Sequence, residues 1–400
     1  MKKNILFVDD DAQVLEGLRL RLHRKRSKWR MQFVESGRKA LDILEQERVD
    51  VIVSDMRMPE MDGATLLTRV RDLYPGVVRI ILSGHAELSS VVRAVPVAHQ
   101  YLTKPCEPGT LEKIIDRACS LRVLINEEVV QQVVGRIEKL PSRPQIYSQL
   151  MTAMSNEKVS SDDIAFILKQ DMAMCAKTLQ MVNSAFFRLP RMISRIEEAV
   201  AHLGFSTIKQ IVLAVEIFRY PGKRMSSKFS LDELQSHAFL VANFASSLLG
   251  EKQEQEDAFV AGLLHDIGKL VLAVELPEQV DEVVKVMETE GISMHVAERR
   301  LYGATHAEVG GYLLGLWGLP CSIVEAVSNH HTPSKVDSEK FGILGAVHIA
   351  DALISEEVSL ASTGIKSTCS LLDSEFCRAS GASREIAKWR ETARGFMATS

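Results

Sequence analysis

The sequence has 400 residues with 48 Lys and Arg against 52 Asp and Glu, which gives a formal net charge of −4. That balance excludes a general electrostatic attraction to nucleic acid or to acidic membranes. A chain of this length is expected to form two or three domains, and its hydrophobic content of 46% suits ordinary buried cores. No signal peptide and no apolar run of about 18 residues is visible, so we expect a cytoplasmic protein without membrane contact.

Four short apolar runs lie in the N-terminal part of the chain, at residues 5–8, 51–54, 79–82 and 100–102. Helical stretches separate these runs, which is typical of buried parallel strands. In an open parallel sheet the strand ends meet at one crevice. The polar side chains expected there come from Asp9, Asp10, Asp11, Asp55, Ser83 and Lys104. This set predicts a hard-cation site beside a carboxylate, which is the chemistry needed to move a phosphoryl group onto Asp55.

The motifs around these residues resemble a response-regulator receiver domain. The matching pieces are ILFVDDD, SDMRMPEMDG, ILSG and YLTKP, in that order along the chain. The resemblance covers residues 1–120 and implies an α/β flavodoxin-like fold with a parallel five-stranded sheet. It also implies phosphorylation by a sensor histidine kinase and a cis peptide bond between Lys104 and Pro105.

The same resemblance implies roles for individual residues. Asp55 would accept the phosphoryl group, Ser83 would contact the phosphoryl oxygens, and Lys104 would pair with the added charge. The implied ligands of Mg2+ are three carboxylates and one main-chain carbonyl, from Asp9, Asp10, Asp55 and Arg57 respectively. The set suits the ion, because Mg2+ prefers oxygen ligands and bridges carboxylate to phosphate.

Residues 121–140 are predicted to form a helical connector. Apolar side chains recur at spacings of three and four residues from Leu111 to Ile125, and less regularly up to Leu140, before Pro141 and Pro144. Two interpretations are open at this point. The helix packs on the preceding domain, or it forms a coiled-coil-like stalk that makes the protein a homodimer.

Strand patterns nearly vanish after the connector. Apolar residues at helical spacing dominate residues 141–355, which predicts one all-α domain. Residues 356–400 are expected to form a tail with a helix near residues 384–397. Nothing in the sequence has the pattern of a helix-turn-helix, so direct DNA binding is not expected.

Most of the 11 histidines lie in the second half of the chain, and the most informative piece is HDIGK, which contains His265 and Asp266. On a helix, adjacent residues would point the imidazole and the carboxylate about 100° apart. Mixed imidazole and carboxylate ligands suit Zn, Fe, Mn or Ni. A metal held in this way lowers the pKa of bound water and supports phosphoester hydrolysis.

The ordered pattern H…HD…D resembles the HD superfamily of metal-dependent phosphohydrolases, and the matching residues are His237, His265, Asp266 and Asp351. His306 and the pair His330 and His331 match the extra histidines of the HD-GYP cyclic-dinucleotide phosphodiesterases. The seven residues together would form a second metal site, for a transition metal. The chain departs from the HD-GYP group, because Thr-Pro-Ser-Lys follows the histidine pair and no GYP element is present.

The wider region is more similar to the HDOD domain, an HD-related all-α output domain. The pieces that carry this resemblance are LPSRPQIYSQL, DDIAFILKQDMAMCAKTLQMVNSAFF and ISRIEEAVAHLGFSTIKQIV. The resemblance implies a regulatory module that binds a protein or a nucleotide second messenger. Two alternatives stay open: a metal-dependent phosphohydrolase acting on a cyclic nucleotide, and a scaffold whose His and Asp residues are purely structural. We expect His202, His295 and His348 to be ordinary helix histidines.

Overall fold

The computed structural model describes residues 2–84, 97–106, 108–124, 128–137, 140–154, 159–184, 191–215, 226, 228–336, 340–361 and 372–399. The chain divides into two compact units. The first unit comprises Met1–Lys139 together with Gln180–Met192 and Gly315–Gly318. The second unit comprises Leu140–Leu179, Ile193–Leu314 and Leu319–Ser400.

The first unit is built around a parallel sheet with the strand order β2-β1-β3-β4-β5. The strands are β1 (Lys3–Val8), β2 (Trp29–Val34), β3 (Val51–Asp55), β4 (Val78–Ser83) and β5 (Gln100–Thr103). The helices between the first four strands are α1 (Ala12–Arg21), α2 (Gly37–Gln46) and α3 (Gly63–Leu73). This strand order is that of flavodoxin-like sheets, so the predicted fold of the N-terminal domain is confirmed.

The central strands are apolar because helices cover the sheet. Leu6, Ile52 and Ile81 are enclosed in one core cluster. The side chains of Asp11 and Asp62 cap α1 and α3 by accepting main-chain N–H groups. These caps fix the starts of the two helices that follow β1 and β3.

Two helices follow the sheet within the first unit, α4 (Pro108–Leu124) and α5 (Glu128–Arg136). The backbone of α5 lies directly on the turn before β4: a Cβ atom on Gly135 would lie 1.8 Å from the main-chain oxygen of Pro75. The buried guanidinium of Arg79 donates a hydrogen bond of 2.8 Å to the main-chain oxygen of Gly135. For α5, the structure therefore agrees with the interpretation in which the connector helix packs on the preceding domain.

The connector departs from the sequence prediction at its C-terminal end. Helical structure stops at Arg136 and does not reach Leu140. The residue before a proline is disfavoured in the helical region, and Leu140 precedes Pro141. Pro144 begins the next helix, because a proline ring suits the first helical position. Ile125 lies outside the described residues.

The described part of the second unit is helical, which confirms the predicted all-α fold. The helices that lie wholly or mostly in this unit are α6 (Pro144–Met154), α7 (Ser161–Leu168), α8 (Met172–Val182), α9 (Ile196–Val215), α10 (Leu231–Ser247), α11 (Lys252–Leu264), α12 (Ile267–Glu275), α13 (Pro277–Glu290), α14 (Met294–Tyr302), α15 (His306–Leu316), α16 (Cys321–Asn329), α17 (Ile343–Ala361), α18 (Ser374–Ala379) and α19 (Ile386–Thr399). Across the residues described, no helix combines the length and the apolar character that crossing a bilayer requires.

Two glycines let the central helices of this unit approach closely. A Cβ atom on Gly262 would lie 2.7 Å from Cα of Ala242, so α11 and α10 touch through their backbones. A Cβ atom on Gly268 would lie 1.9 Å from the main-chain oxygen of His306. The start of α12 and the start of α15 are therefore in direct contact, which brings residues that are distant in sequence to one place.

Candidate functional sites

The predicted carboxylates and lysine of the first unit meet at the ends of their strands. Asp9 follows β1, Asp55 ends β3, and both side chains are buried. Lys104 Nζ donates to Asp9 Oδ2 at 2.5 Å and also to Asp55 Oδ1. Asp55 Oδ2 accepts a hydrogen bond of 2.6 Å from the main-chain N–H of Arg57. The peptide bond between Lys104 and Pro105 is cis, as predicted.

The remaining residues of this predicted site lie around that group. Asp10 is exposed between Asp9 and the cap residue Asp11. Ser83 ends β4, and its main-chain oxygen accepts a hydrogen bond of 2.6 Å from the N–H of Lys104. All the donor atoms that the predicted Mg2+ site would use are oxygens, which is the chemistry this ion requires. The phosphoryl and Mg2+ roles stay predictions.

The charges of this group are set by burial and by their mutual pairing. Burial raises the pKa of Asp55, and the hydrogen bond from Lys104 offsets part of that effect. Burial opposes the charge of Lys104, but the carboxylates of Asp55 and Asp9 outweigh it, so the pKa of Lys104 is raised. A lysine held in its charged form beside Asp55 is placed to pair with charge added to that carboxylate.

The HD pair lies at a break between two helices and not on one helix, so the prediction of a helix-borne pair was wrong. His265 is the C-cap residue of α11, and Asp266 precedes the first residue of α12. Asp266 has φ −100° and ψ 11°, which departs from helical values, so the chain changes direction there. The change of direction lets both side chains point toward one buried cluster.

The two carboxylates of this cluster organise the imidazoles around them. Asp266 Oδ2 lies 3.2 Å from His265 Nε2, and Asp266 Oδ1 lies 3.3 Å from His306 Nε2. Asp351 Oδ1 lies 3.0 Å from His237 Nε2 and 3.7 Å from His265 Nε2. His265 therefore stands between the two carboxylates.

The histidine pair completes the cluster. His330 Nε2 lies 3.9 Å from Asp266 Oδ1, and His331 Nδ1 lies 3.9 Å from Asp351 Oδ2. The structure thus brings together all seven residues that the sequence singled out in this half of the chain. Three overlapping groups have ligand atoms within 4.8 Å of one another: His306 with His330 and His331, His237 with His265 and Asp351, and His265 with Asp266 and His330.

The imidazoles of His265 and His330 are each held in orientation by a hydrogen bond from Nδ1. His265 Nδ1 bonds the main-chain oxygen of Gly262 at 2.6 Å, and His330 Nδ1 bonds that of Val327 at 2.8 Å. Since carbonyl oxygens accept, both Nδ1 atoms carry protons, and the Nε2 atoms face the cluster. Within the described residues, His265 Nε2, Asp266 Oδ1 and His330 Nε2 are buried without a hydrogen-bond partner.

The lack of hydrogen-bond partners at these three atoms bears on whether the cluster fits a metal ion. Leaving a buried polar atom without a partner costs about 1–3 kcal/mol, and a native protein tolerates few such atoms. Here three of them converge, and each is a normal ligand for a transition metal. The donor set therefore fits a metal, and the residues that would hold it belong to the three groups above.

Burial and pairing also shift the pKa values of the carboxylates and imidazoles in the cluster. Burial opposes the charge of Asp266, but His265 and Lys269 outweigh it and hold the pKa of that carboxyl well below its usual range. Burial likewise opposes the charge of Asp351, and the neighbouring imidazoles of His237 and His265 lower its pKa. Burial lowers the pKa of His330 well below its usual value. Burial opposes the charge of His265 as well, but Asp266 and Asp351 outweigh it and raise the pKa of that imidazole to about 10. The carboxylates and His330 are therefore in the protonation states that metal binding requires, and a metal ion would have to displace the Nε2 proton of His265.

Three further residues support the cluster, and the sequence did not single them out for this role. Glu298, buried on α14, accepts hydrogen bonds from His306 N at 2.9 Å and His306 Nδ1 at 2.7 Å. The ring of His295 stacks on that of His331, with centroids 4.3 Å apart and an interplanar angle of 17°. His348 Nδ1 bonds the main-chain oxygen of His330 at 2.7 Å.

Two of the three histidines expected to be ordinary are therefore part of this assembly. His295 and His348 contact the cluster because their helices pack against it, a long-range fact that helical spacing does not contain. His202 behaves as expected: it is exposed on α9, 3.8 Å from Glu198. No spacing rule in a single sequence points to Glu298.

The comparisons with known proteins divide the chain in the same way. A response regulator receiver domain model matches residues 5–116, and an HDOD domain model matches residues 140–333. An uncharacterized protein of Treponema pallidum is 25% identical over 230 residues, which is 57% of this chain and 44% of that protein. The transcriptional regulatory protein GlrR of Escherichia coli is 37% identical over 116 residues, 29% of this chain and 26% of that protein.

One solved structure resembles the N-terminal part. It is the signal receiver domain of an HD domain-containing protein from Pseudomonas fluorescens, with 30% identity and a TM-score of 0.29, covering 30% of this chain and 96% of that one. The chain spans less than half the length of the two curated relatives named above. The two family models show that the chain carries a response regulator receiver domain at residues 5–116, followed by an HDOD domain at residues 140–333.

Proposed function

We propose that a sensor histidine kinase phosphorylates this response regulator on Asp55, and that phosphorylation controls the HDOD domain. In this proposal the HDOD domain is a regulatory module that holds a transition metal in its His and Asp cluster and binds a protein or a nucleotide second messenger. The observation that carries the metal assignment is the convergence of three buried atoms without partners, His265 Nε2, Asp266 Oδ1 and His330 Nε2.

The receiver half of the proposal is supported by the arrangement at the strand ends. Mg2+ would be held by Asp9, Asp10, Asp55 and the main-chain carbonyl of Arg57, and it would neutralise charge on the incoming phosphoryl group. A carboxylate oxygen of Asp55 would accept that group. Lys104 Nζ already contacts Asp55, so it can pair with the phosphoryl charge without a large movement.

A second candidate function is hydrolysis of a phosphoester such as a cyclic nucleotide. The observation that favours it is solvent access to the cluster: the side chains of His237 and Lys269 remain 21% and 22% exposed, while His265 and Asp266 are enclosed. Lys269 Nζ, 2.7 Å from Asp266 Oδ2, would offer a cation to a phosphate at this rim. A bound metal would supply a water of lowered pKa.

Metal analysis of full-length protein purified without a polyhistidine tag tests the assignment. We expect about one transition-metal ion or more per chain in wild type, a loss of metal in His265→Ala, and no change in His202→Ala, whose imidazole is exposed and outside the cluster. Equal metal content in all three proteins, or none in wild type, would contradict it. Phosphodiesterase assays on the metal-loaded protein then separate the regulatory module from the hydrolase.

A further inference from the structure

His348 joins the histidine pair of the cluster to the C-terminal segment. It is buried on α17, three residues before Asp351. One ring nitrogen, Nδ1, bonds the main-chain oxygen of His330 at 2.7 Å. The other, Nε2, accepts a hydrogen bond of 2.9 Å from the main-chain N–H of Asp373. A single imidazole thus connects a residue of the cluster to residues that lie beyond the HDOD match, which ends at 333.

The two partners determine the protonation state of this imidazole. A main-chain N–H can only donate, so Nε2 of His348 carries no proton. A main-chain carbonyl can only accept, so Nδ1 carries the proton and donates it to the oxygen of His330. His348 is therefore neutral and present as one tautomer, and burial, which lowers its pKa, acts in the same direction.

The side chain of Asp373 also contacts the segment that follows His330. Its Oδ2 accepts a hydrogen bond of 3.3 Å from the main-chain N–H of Ser334, four residues after His330. Its Oδ1 accepts from the N–H groups of Glu375 and Phe376 and so caps α18. Both ends of the segment 330–334 are thereby attached to the start of α18.

The segment that supplies Asp373 is itself well anchored. Phe376 is buried, and its ring lies edge-on to His348 with centroids 6.1 Å apart. Further along, Arg390 on α19 donates two hydrogen bonds to Glu356 on α17, and Trp389 stacks on Phe341 at 5.0 Å. Phe376 and Arg390 therefore attach α18 and α19 to the helix that carries His348 and Asp351.

We propose that His348 and Asp373 are positioning residues of the metal centre, and that the C-terminal segment is a built-in part of its support. The inference rests on the proposed function, because it concerns the same metal. Holding the carbonyl of His330 fixes the turn from which the imidazoles of His330 and His331 project. Partners that orient ligands in this way contribute to metal affinity although they never touch the ion.

The chain offers a matched pair of substitutions at one position. Asp373→Ala and Asp373→Pro both remove the carboxylate, but only proline also removes the N–H that donates to His348. Proline suits the local backbone, since Asp373 has φ −70° and Pro320 occupies the corresponding cap position of α16 at φ −52°. The difference between the two variants therefore isolates the hydrogen bond to His348.

The test is the affinity of full-length protein for Zn2+, measured by competition with a chromophoric chelator. We expect Asp373→Pro to bind Zn2+ about tenfold more weakly than Asp373→Ala, by analogy with the loss of other ligand-orienting partners. His348→Leu should likewise bind Zn2+ about tenfold more weakly than wild type. His348→Gln keeps one donor and one acceptor, so its Zn2+ affinity should lie between those of His348→Leu and wild type. The metal-free proteins are compared by thermal unfolding, because a purely structural role would lower Tm without reducing the further rise in Tm on adding Zn2+.

Two outcomes separate this inference from the proposed function. Equal Zn2+ affinity of Asp373→Pro and Asp373→Ala would overturn the positioning role and leave the metal centre in place. Wild type that does not bind Zn2+ would overturn the metal centre, and the positioning role with it. Nitrogen NMR of the metal-free protein provides a separate readout: His348 should be the neutral Nδ1–H tautomer, and the Nε2–H form would contradict the arrangement.

Discussion

The Nε2 atoms of His306 and His331 lie 2.8 Å apart within the HDOD domain. His306 Nδ1 donates its proton to Glu298 Oε2, which also accepts a hydrogen bond from the main-chain N–H of His306. If both Nε2 atoms were unprotonated, their lone pairs would repel each other at this distance. The contact is favourable only if one Nε2 carries a proton or if both bind the same metal ion. The arrangement is well suited to a positive ion that several imidazoles share.

The first prediction concerns stability. Adding Zn2+ to metal-free protein should raise the Tm of the HDOD domain, since a ligand that binds the folded state at one hundred times its Kd contributes about 2.7 kcal/mol. His306→Ala should lose most of that rise, and His202→Ala should keep it. Calorimetry on the three proteins measures the change in Tm. If Zn2+ raised the Tm of His306→Ala as much as that of wild type, the ion would bind at another site.

The second prediction concerns phosphorylation. Acetyl phosphate with Mg2+ should add a labile phosphoryl group to wild type and not to Asp55→Asn, since Asp55 is a buried carboxylate at the end of β3 that Lys104 contacts. Asp72→Asn is the matched control, because that carboxylate is 55% exposed and lies in the last turn of α3. Mass spectrometry at neutral pH detects the adduct. Undiminished labelling of Asp55→Asn would show that another residue is the acceptor.

The third prediction concerns the connector helix α5. Gly135→Ala should destabilise the receiver domain by about 1–3 kcal/mol, because the added Cβ would meet the main-chain oxygen of Pro75 at 1.8 Å. Gly109→Ala is the control: it is also a helical glycine, and its Cβ would meet nothing within 4 Å. That substitution should be neutral or stabilising by up to about 1 kcal/mol. Urea unfolding compares the two, and equal stabilities would mean that α5 is not packed on this turn.

The fourth prediction concerns pH and a lysine outside the candidate sites. Burial lowers the pKa of Lys177 from 10.5 to about 7. Below about pH 7 both folded and unfolded chains carry the proton; from there to about pH 10.5 the unfolded chain binds more protons, so the free energy of unfolding rises with pH. Lys177→Met should remove that rise, which is on the order of a few kcal/mol.

Thermal unfolding at about pH 7 and pH 9.5 measures the effect of Lys177→Met. Lys228→Met provides the control, because Lys228 is 44% exposed and pairs with Glu288 on the surface. A pH dependence that is the same in wild type and Lys177→Met would show that another group titrates.

Much of the receiver site could be predicted from local patterns. Asp9, Asp55 and Lys104 each follow a short apolar run, and the geometry of a parallel sheet brings strand ends together whatever the rest of the chain does. The break at the HD pair was different. Leu264 and Ile267 continue an apolar helical pattern on either side of His265 and Asp266, so the change of direction is invisible to periodicity.

The supporting residues of the HDOD cluster could not be predicted for a related reason. Glu298 reaches His306 from a separate helix, and His348 reaches His330 from another. Such contacts depend on how helices cross, which here is set by close approaches at Gly262 and Gly268. The order of histidines along the sequence identifies the residues of the cluster, and only the packing identifies the residues that orient them.

The most direct test of the account is X-ray absorption at the edge of the metal that copurifies with the untagged protein. A metal held by the HDOD cluster should show several imidazole nitrogens at about 2.0–2.2 Å, with carboxylate oxygens at similar distances. The imidazole scattering should fall in His330→Ala and stay unchanged in His202→Ala. A spectrum with oxygen ligands only, or one that His330→Ala leaves unaltered, would contradict the proposed metal centre.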